Sequence, residues 1–596
     1  MKNLHVLWKQ HRWLILIVVS FVILGTIYSM AVPMWEAPDE SGHFPYILHL
    51  IRHHQLPDQR PGGKTVGEGH QPPLYYLIGA VAISWVDTSG LSLMHRSNPD
   101  FIWKGKGTDV NAAIHGSIET FPYQGTSLAM HLVRFLSVLM GAATITSTYG
   151  IAQTLFPEQQ SLAVGAALIN ATIPQFLFLS GVVNNDNLVI ALSALSLWVM
   201  VKILQEGNTR RRSLILGATL GLALISKGSA LQLLPLAGYA ILFARGERSV
   251  RASLVYLAWM LVPALVLSGW WFARNWVLYA DPLGLQLFLS THPPFEGSDF
   301  TQWSTWRFFL QKMHTSFWAQ FGWMNIPLEP VIYRLLQGWY ILVLIGLVLW
   351  GVRYTHSRKT APHPTAFMLL WLSIGAAWAW VISYSITLGG FGWQGRYLFP
   401  ALPAFSVLSA LGLSRLVPQR WATLGAAVIA LGILAVGCPW RYIMPAYPRP
   451  MLSRWQVILI PHRLRAVFGE EFDLLGYAVE PEIASPGETI NLTLYWQARR
   501  VPANDYTVFV HLVNENGAMY GQHDSPPQEG SLPTTSWWYG DVVRDVHPVT
   551  IAPDAPPGDY TFRVGWYFWA TGERILVREG SNQQETFVPL DNIVLK

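Results

Sequence analysis

The run "WLILIVVSFVILGTIYSMAVPM", residues 13–34, carries no charge and is long enough to cross a bilayer, which takes about 20 residues of helix. Such a segment must satisfy every backbone polar group within itself, so it can only be a helix. It is the first of many. Hydrophobic residues make up 51% of the 596-residue chain and charged residues only 13%, a balance that excludes an ordinary soluble protein and describes a polytopic membrane protein. The basic start "MKNLHVLWKQHR" is like that of a signal peptide, but no small-residue cleavage site follows, so the run is expected to stay as an uncleaved first span.

The net charge of +5 is gathered in short Lys/Arg clusters between apolar runs. That pattern belongs to cytoplasmic loops, and no nucleic-acid partner is expected. Orientation turns on "HQPPLYYLIGAVAISWV", residues 70–86. If it crossed the membrane, "RRRS" (210–213), "RGERSVR" (245–251) and "RYTHSRK" (353–359) would all lie outside. Read as a juxtamembrane helix at the outer interface, it leaves every cluster inside with the N-terminus, as the positive-inside rule requires. About eleven spans are then expected, at 13–34, 128–154, 161–183, 187–205, a short pair 213–228 and 229–244, then 252–275, 331–352, 365–388, 397–416 and 421–440. The protein would sit as a multi-pass component of the cytoplasmic membrane, with its C-terminal part outside. The single cysteine, Cys438, rules out an internal disulfide.

The chain divides by texture. Residues 1–440 form the membrane domain, with large outer loops at 35–127 and 276–330; 441–473 reads as a linker. From 474 to 596, alternating runs such as "TINLTLYWQA" and "YTFRVGWYF", parted by "SPGE", "NENG" and "DAPPGD" turns, predict an all-β sandwich outside the membrane. Its "TSWWYGDVVRD" and "GWYFWATGER" stretches suit either a glycan platform or the filling of a small β core. The triplet "NLT" at 491–493 fits an acceptor pattern too common by chance to carry weight.

Polar residues recur at the outer ends of the spans. "APDESGHFPYILHL" follows the first span, with Asp39, His43 and Tyr46 at i, i+4 and i+7 on one helical face. Pro38, Asp39 and Glu40 alone suit a helix start whose acids complement the dipole. The further clusters "EGHQPPLYY", "VVNNDNL", "SKGS", "ARNWVLYADPLG" and "GWQGRYLFPALP" exceed what capping needs, and ionisable groups at membrane depth are functional candidates.

With "APDESGHFPYILHL", "HQPPLYY", an Arg in the second span "HLVRFLSVLMGA" and "NND" in this order, the first 440 residues resemble the GT-C glycosyltransferases. Within them the resemblance is to the protein O-mannosyltransferase and aminoarabinose transferase branch, whose bacterial members use polyprenyl-phosphate sugars. It implies an integral membrane enzyme that moves a sugar from a polyprenyl-phosphate donor, in contact with membrane lipid, to an acceptor glycan, lipid or protein. Asp39 would be the base that activates the acceptor hydroxyl, with Glu40 and Asp186 shaping the acceptor site. Asp39 and Asp186 would be the candidates for a divalent ion, Mg²⁺ or Mn²⁺, since hard carboxylate oxygens suit them, although no ligand spacing identifies such a site.

The departing phosphate calls for positive charge. Arg396 and Arg274 stand at span ends where a guanidinium can grip phosphate in bidentate fashion or else snorkel to headgroups. Lys227 interrupts two apolar arms with no helix end that requires it. His43, Tyr46, His70, Gln71, Asn185, Asn275, Gln394 and Tyr397 complete the expected substrate-binding set. Trp303, Trp306 and Trp318 suit membrane anchoring better than stacking on sugar. Two other readings compete. A transporter of lipid-linked sugar should show paired broken helices in corresponding halves, and no such symmetry is visible. A membrane-anchored glycan-binding or assembly protein would leave the charged groups at the span ends without a purpose.

Overall fold

The computed structural model describes residues 2–596 apart from 61–66, 91–96, 99–100, 102–109, 117–118, 247–248, 287–288, 290–298, 355–362, 418–420, 448–450, 453 and 580–582. It contains two compact units, residues 1–88 with 128–447, and residues 89–127 with 448–596.

The first unit is helical. α1 (Lys2–Ala31) leads to α2 (Glu40–His53) and the short α3 (Leu74–Ile83). α4 (Gly125–Leu155) enters the unit, and α5 (Gln160–Ala171) and α6 (Pro174–Ser180) follow, bent by 65° where Pro174 prevents helix continuation. Then come α7 (Asp186–Glu206), α8 (Arg210–Leu224), a 3₁₀ turn (Gly228–Gln232), α9 (Leu233–Leu242) and α10 (Val250–Tyr279). α11 (Trp303–Trp318) and a two-residue hairpin, β1 (Gln320–Phe321) with β2 (Ile326–Pro327), precede α12 (Pro330–Tyr354) and α13 (Pro364–Leu388). A 3₁₀ segment (Gly395–Ala401), α14 (Leu402–Leu413) and α15 (Ala422–Cys438) complete the unit.

Among the described residues eight helices are long and apolar enough to cross a membrane, or nine if the bent α5–α6 pair is one span. The expected count of about eleven exceeds this by the short pair 213–228 and 229–244. The difference lies in α8 and α9, 15 and 10 residues, which fall below the length of the other spans. Yet Lys227 at their joint meets Asp186 at the start of α7 while Arg245 after α9 donates to the Gln205 carbonyl at its far end, so the pair runs the length of α7 and back. They act as a pair of arms that carry Lys227 at their joint. α3, at 10 residues, is too short to cross. The small residues Gly217 and Gly221 let α8 lie against α10: a Cβ at Gly217 would fall 2.0 Å from the Met260 carbonyl oxygen.

The second unit is a sandwich. One sheet runs β13–β12–β3–β4–β6–β9, formed by Gln583–Glu585, Val577–Glu579, His462–Phe468, Phe472–Glu480, Thr489–Ala498 and Val542–Thr550. The other runs β5–β14–β10–β7–β8, formed by Ile483–Ala484, Val588–Leu595, Gly558–Phe568, Thr507–Asn514 and Met519–Gln522, with β11 (Glu573–Arg574) paired on β10. Its core holds the fully buried Trp496, Trp537 and Trp566, so "TSWWYG" and "GWYFW" each send one tryptophan into the interior. Tyr539 and Trp569 are each 71% exposed, and Trp538, Tyr567 and Phe568 are half-buried.

The boundaries differ from those the texture implied. The sandwich starts at His462, inside the supposed linker, because "HRLRAVF" pairs antiparallel with Phe472–Glu480 across a turn at Gly469, φ +55°. Its irregular alternation, broken by a register shift between Arg463 and Ala466, hid the strand. Residues 89–127 also leave the membrane domain for this unit, where Ile114 packs on the sandwich core.

Candidate functional site

Two neighbouring carboxylates at the start of α2 take opposite directions. Glu40 is fully buried and accepts hydrogen bonds from Arg134 Nε (2.9 Å) and Nη2 (2.5 Å), from Trp35 N (3.0 Å) and from Val183 N (2.9 Å). The Arg134 guanidinium, also fully buried, spends its remaining donors on the carbonyls of Ser29, Val32 and Pro33. This clasp ties the end of α1 to the start of α2. Glu40 therefore has no oxygen to spare for chemistry, and its expected catalytic role is replaced by a structural one.

Asp39 faces the other way. Its φ of 65° places it in the left-handed region, which Asp tolerates better than most residues, and its side chain does not cap α2. The carboxylate instead accepts from Arg396 Nη2 at 2.5 Å while its side chain stays 35% exposed. Arg396 comes from the 3₁₀ segment before α14, and its Nε lies 3.7 Å from Asp186 Oδ2. Asp186 begins α7 and accepts from Lys227 Nζ at 2.6 Å. Four elements thus deliver Asp39, Arg396, Asp186 and Lys227 in alternating charge, and both cations lie near the Tyr397 ring, at 5.2 and 5.5 Å. Arg396 Nε and Nη1 and Asp186 Oδ2 are buried without a hydrogen-bond partner among the described residues, so the cluster holds unused donors.

The remaining candidates frame this cluster. His43 Nδ1 meets the Tyr76 hydroxyl at 2.8 Å, and Tyr46 stacks on Tyr76 with centroids 3.9 Å apart, so the stripe at i+4 and i+7 binds α2 to α3. Gln71 Oε1 accepts from Asn185 Nδ2 (3.2 Å), and His70 Nε2 lies 3.0 Å from Gln71 Nε2. Gln394 lines a small void with Pro38 and Arg396. Arg274 and Asn275 stand outside the charge cluster: Arg274 donates to the Pro57 carbonyl (2.7 Å) and Asn275 to that of Pro282 (3.3 Å), which fastens loops. Trp318 is fully buried and donates to the Tyr340 hydroxyl at 2.8 Å, Trp306 packs on Phe300 and Phe309, and Trp303 is 75% exposed.

Burial raises the Asp39 carboxyl, but the charge and hydrogen bond of Arg396, with the charge of Lys227, outweigh it, and the pKa lies below its ordinary value. Burial, opposed by the Asp39 charge, lowers His43 to about 3, so its ring is neutral. Glu68, first residue of "EGHQPPLYY", is pushed up to about 8, by burial first and the Asp39 charge second.

Asp39 and Asp186 do not fit a divalent ion as they stand. The Asp39 carboxylate already carries a guanidinium, and Asp186 carries an ammonium and lies beside the same guanidinium, so the negative charge a hard cation needs is compensated. No group of three or more His, Cys, Asp or Glu suited to a metal occurs among the described residues.

Three contributors lie outside the expected set of site residues. Arg134 was visible as an ionisable residue inside an apolar run, a signal for a buried partner, but its partner lies 94 positions away. Glu68 stood in a motif already singled out for its His and Gln. Tyr76 was hidden because nothing in a sequence distinguishes an aromatic that closes a site from one that fills a core.

A family model described as dolichyl-phosphate-mannose-protein mannosyltransferase matches residues 126–272, the segment holding Arg134, Asp186 and Lys227. It agrees with the resemblance to membrane glycosyltransferases carried by the motifs. Among solved structures, ArnT from Cupriavidus metallidurans bound to undecaprenyl phosphate is similar at 16% identity, over 71% of this chain and 65% of that one, with a TM-score of 0.40. Its apo state gives 14%, 72%, 65% and 0.39. The oligosaccharyltransferase of Archaeoglobus fulgidus, in complex with Zn and sulfate, gives 16%, 74%, 54% and 0.38. The chain thus spans 65% of ArnT and 54% of the oligosaccharyltransferase. No curated protein matches.

Proposed function

We propose that the membrane unit is a glycosyltransferase that moves a sugar from a polyprenyl-phosphate donor to an acceptor hydroxyl on the extracytoplasmic side of the cytoplasmic membrane. The observation that carries this reading is the alternation Asp39–Arg396–Asp186–Lys227, in which one carboxylate remains partly exposed and one guanidinium has buried donors to spare.

Each residue has a task that its surroundings suit. Arg396 and Lys227 hold the phosphate, the guanidinium through its unused Nε and Nη1, and so stabilise the charge that builds on the leaving oxygen. Asp186 keeps both cations in place before the donor arrives. Asp39 takes the proton of the acceptor hydroxyl as that oxygen bonds to the anomeric carbon; the carbon–oxygen bond to phosphate breaks, and its electron pair leaves with the polyprenyl phosphate. While paired with Arg396, Asp39 is ionised but weakly basic. A phosphate that draws Arg396 to itself loosens that pairing and raises the basicity of Asp39 when donor is bound. Neutral His43, hydrogen-bonded to the Tyr76 hydroxyl, adds no charge beside Asp39.

The test is incubation of the purified protein with a panel of radiolabelled polyprenyl-phosphate sugars, scored for transfer and for release of polyprenyl phosphate. Release that depends on Asp39 and Arg396 is expected. Absence of release from every donor, with protein shown to be folded, overturns the reading.

A further inference from the structure

The outer face of the sheet β12–β3–β4–β6–β9 carries a cleft of about 790 Å³, within the ~300–1,000 Å³ usual for ligand sites. Its floor follows from strand register. Asp473 on β4 pairs with Gln497 on β6, which pairs with Val542 on β9, while their neighbours Phe472, Leu474, Trp496 and Val543 point into the core. The alternation of strand side chains therefore sets Asp473, Gln497 and Val542 on the opposite face. The rim is the turn Trp538–Asp541.

That turn is fixed. Gly540 N donates to the Ala498 carbonyl (2.8 Å), Ala498 N to the Asp541 carbonyl (3.0 Å), and Trp538 N to Asp541 Oδ2 (2.7 Å). Gly540, at φ +84°, makes the reversal possible. The result is a rigid mount for Tyr539, which is 71% exposed although it stands beside a packed sheet. A large aromatic held in water next to a cleft has not been used for folding, and its flat apolar face suits the C–H face of a sugar ring.

The charges define the ligand further. Asp473 is buried and accepts from Arg499 Nη1 at 2.7 Å, so that pair is complete. Arg465 lies 3.7 Å from the other Asp473 oxygen, beyond hydrogen-bond distance, with its side chain 74% exposed. Glu471 and Glu470 are engaged by Arg500. With Asp541 in the rim turn the charges balance overall, and Arg465 is left as the exposed guanidinium whose paired donors match a carboxylate or sulfate.

We propose that this cleft binds an acidic saccharide, with Tyr539 under a sugar ring, Arg465 on its anionic group and Gln497 on a hydroxyl. The site does not rest on the reaction assigned to the membrane unit, and its test reads binding alone. Labelled full-length protein in detergent is applied to an array of uronate- and sulfate-bearing oligosaccharides beside their neutral counterparts, and the strongest acidic ligand is then titrated. Selective retention by acidic saccharides is expected, with Tyr539→Ala and Arg465→Ala each weakening binding at least tenfold and Tyr539→Phe leaving it near that of the parent. Both residues are exposed, so the variants keep the fold. Retention of no acidic saccharide, equal retention of neutral ones, titrations unchanged in both alanine variants, or displacement by inorganic phosphate at equal concentration would each overturn the proposal.

Discussion

Arg396 Nη2 and Asp39 Oδ2 are 2.5 Å apart although 357 positions separate them in the chain. The pair joins the first turn after α1 to the 3₁₀ segment before α14, so the site closes only when the first and the late helices of the unit have come together.

Asp39→Asn separates a chemical role from a structural one. Asn also tolerates the left-handed conformation, and the native carboxylate makes no cap bond to lose, so the fold should survive. A general base contributes about a hundred- to ten-thousand-fold in rate. Turnover at saturating donor and acceptor is expected to fall by that order, with donor binding largely kept; turnover like that of the parent would remove Asp39 from the mechanism.

Glu40→Gln should behave in the opposite way. Removing one partner of a fully buried ion pair costs about 3–5 kcal/mol, because Arg134 is left charged and uncompensated. The expected result is a marked drop in thermal stability and in recoverable protein, shared by Arg134→Met. A Glu40→Gln protein that unfolds like the parent but does not turn over would return Glu40 to the reaction.

Glu68 gives a pH signature. With a folded pKa near 8 against an ordinary value of 4.5, its carboxyl stays protonated in the native state over a range where the unfolded chain ionises. The native state then binds more protons, so this group's contribution to stability declines as pH rises from about 4.5 to 8. Unfolding followed from pH 5 to 9 should show that decline, and Glu68→Gln should flatten it. Identical slopes in the two proteins would mean that Glu68 is ionised throughout.

Topology is accessible to reporter fusions. The ends bearing Asp39, Asp186, Lys227 and Arg396 meet, so they share one side of the membrane; fusions after Asn185 and Asp281 are expected to report outside, and those after Asn208 and Arg245 inside. An inside signal at Asp281 would invert the positive-inside assignment.

Hydropathy and turn spacing carry the division into a helical membrane unit and a sandwich, because both signals are local. The same holds for Asp39, Asp186, Lys227 and Arg396 as candidates: each stands out as a charge at the end of an apolar run. What the sequence could not yield is pairing. Glu40 beside Asp39 looks equally suited to chemistry until Arg134 is seen to hold it, and Arg274 looks like Arg396 until one is found on a loop carbonyl and the other on a carboxylate. The strand at 462–468 was lost for a related reason, since a register shift breaks the period by which strands are recognised.

The Arg134 clasp also has a consequence for biogenesis. Its three carbonyls and the Glu40 carboxylate are made 94 or more residues before the guanidinium that will satisfy them. At about 5–20 residues per second, the elbow after the first helix waits roughly 5–20 s, with water or the insertion machinery standing in for its partner. The geometry of the site is thus decided not when Asp39 is synthesised but when the helix carrying Arg134 enters the bilayer, and a delay in that single event leaves a nascent chain whose exit from the membrane has no fixed direction.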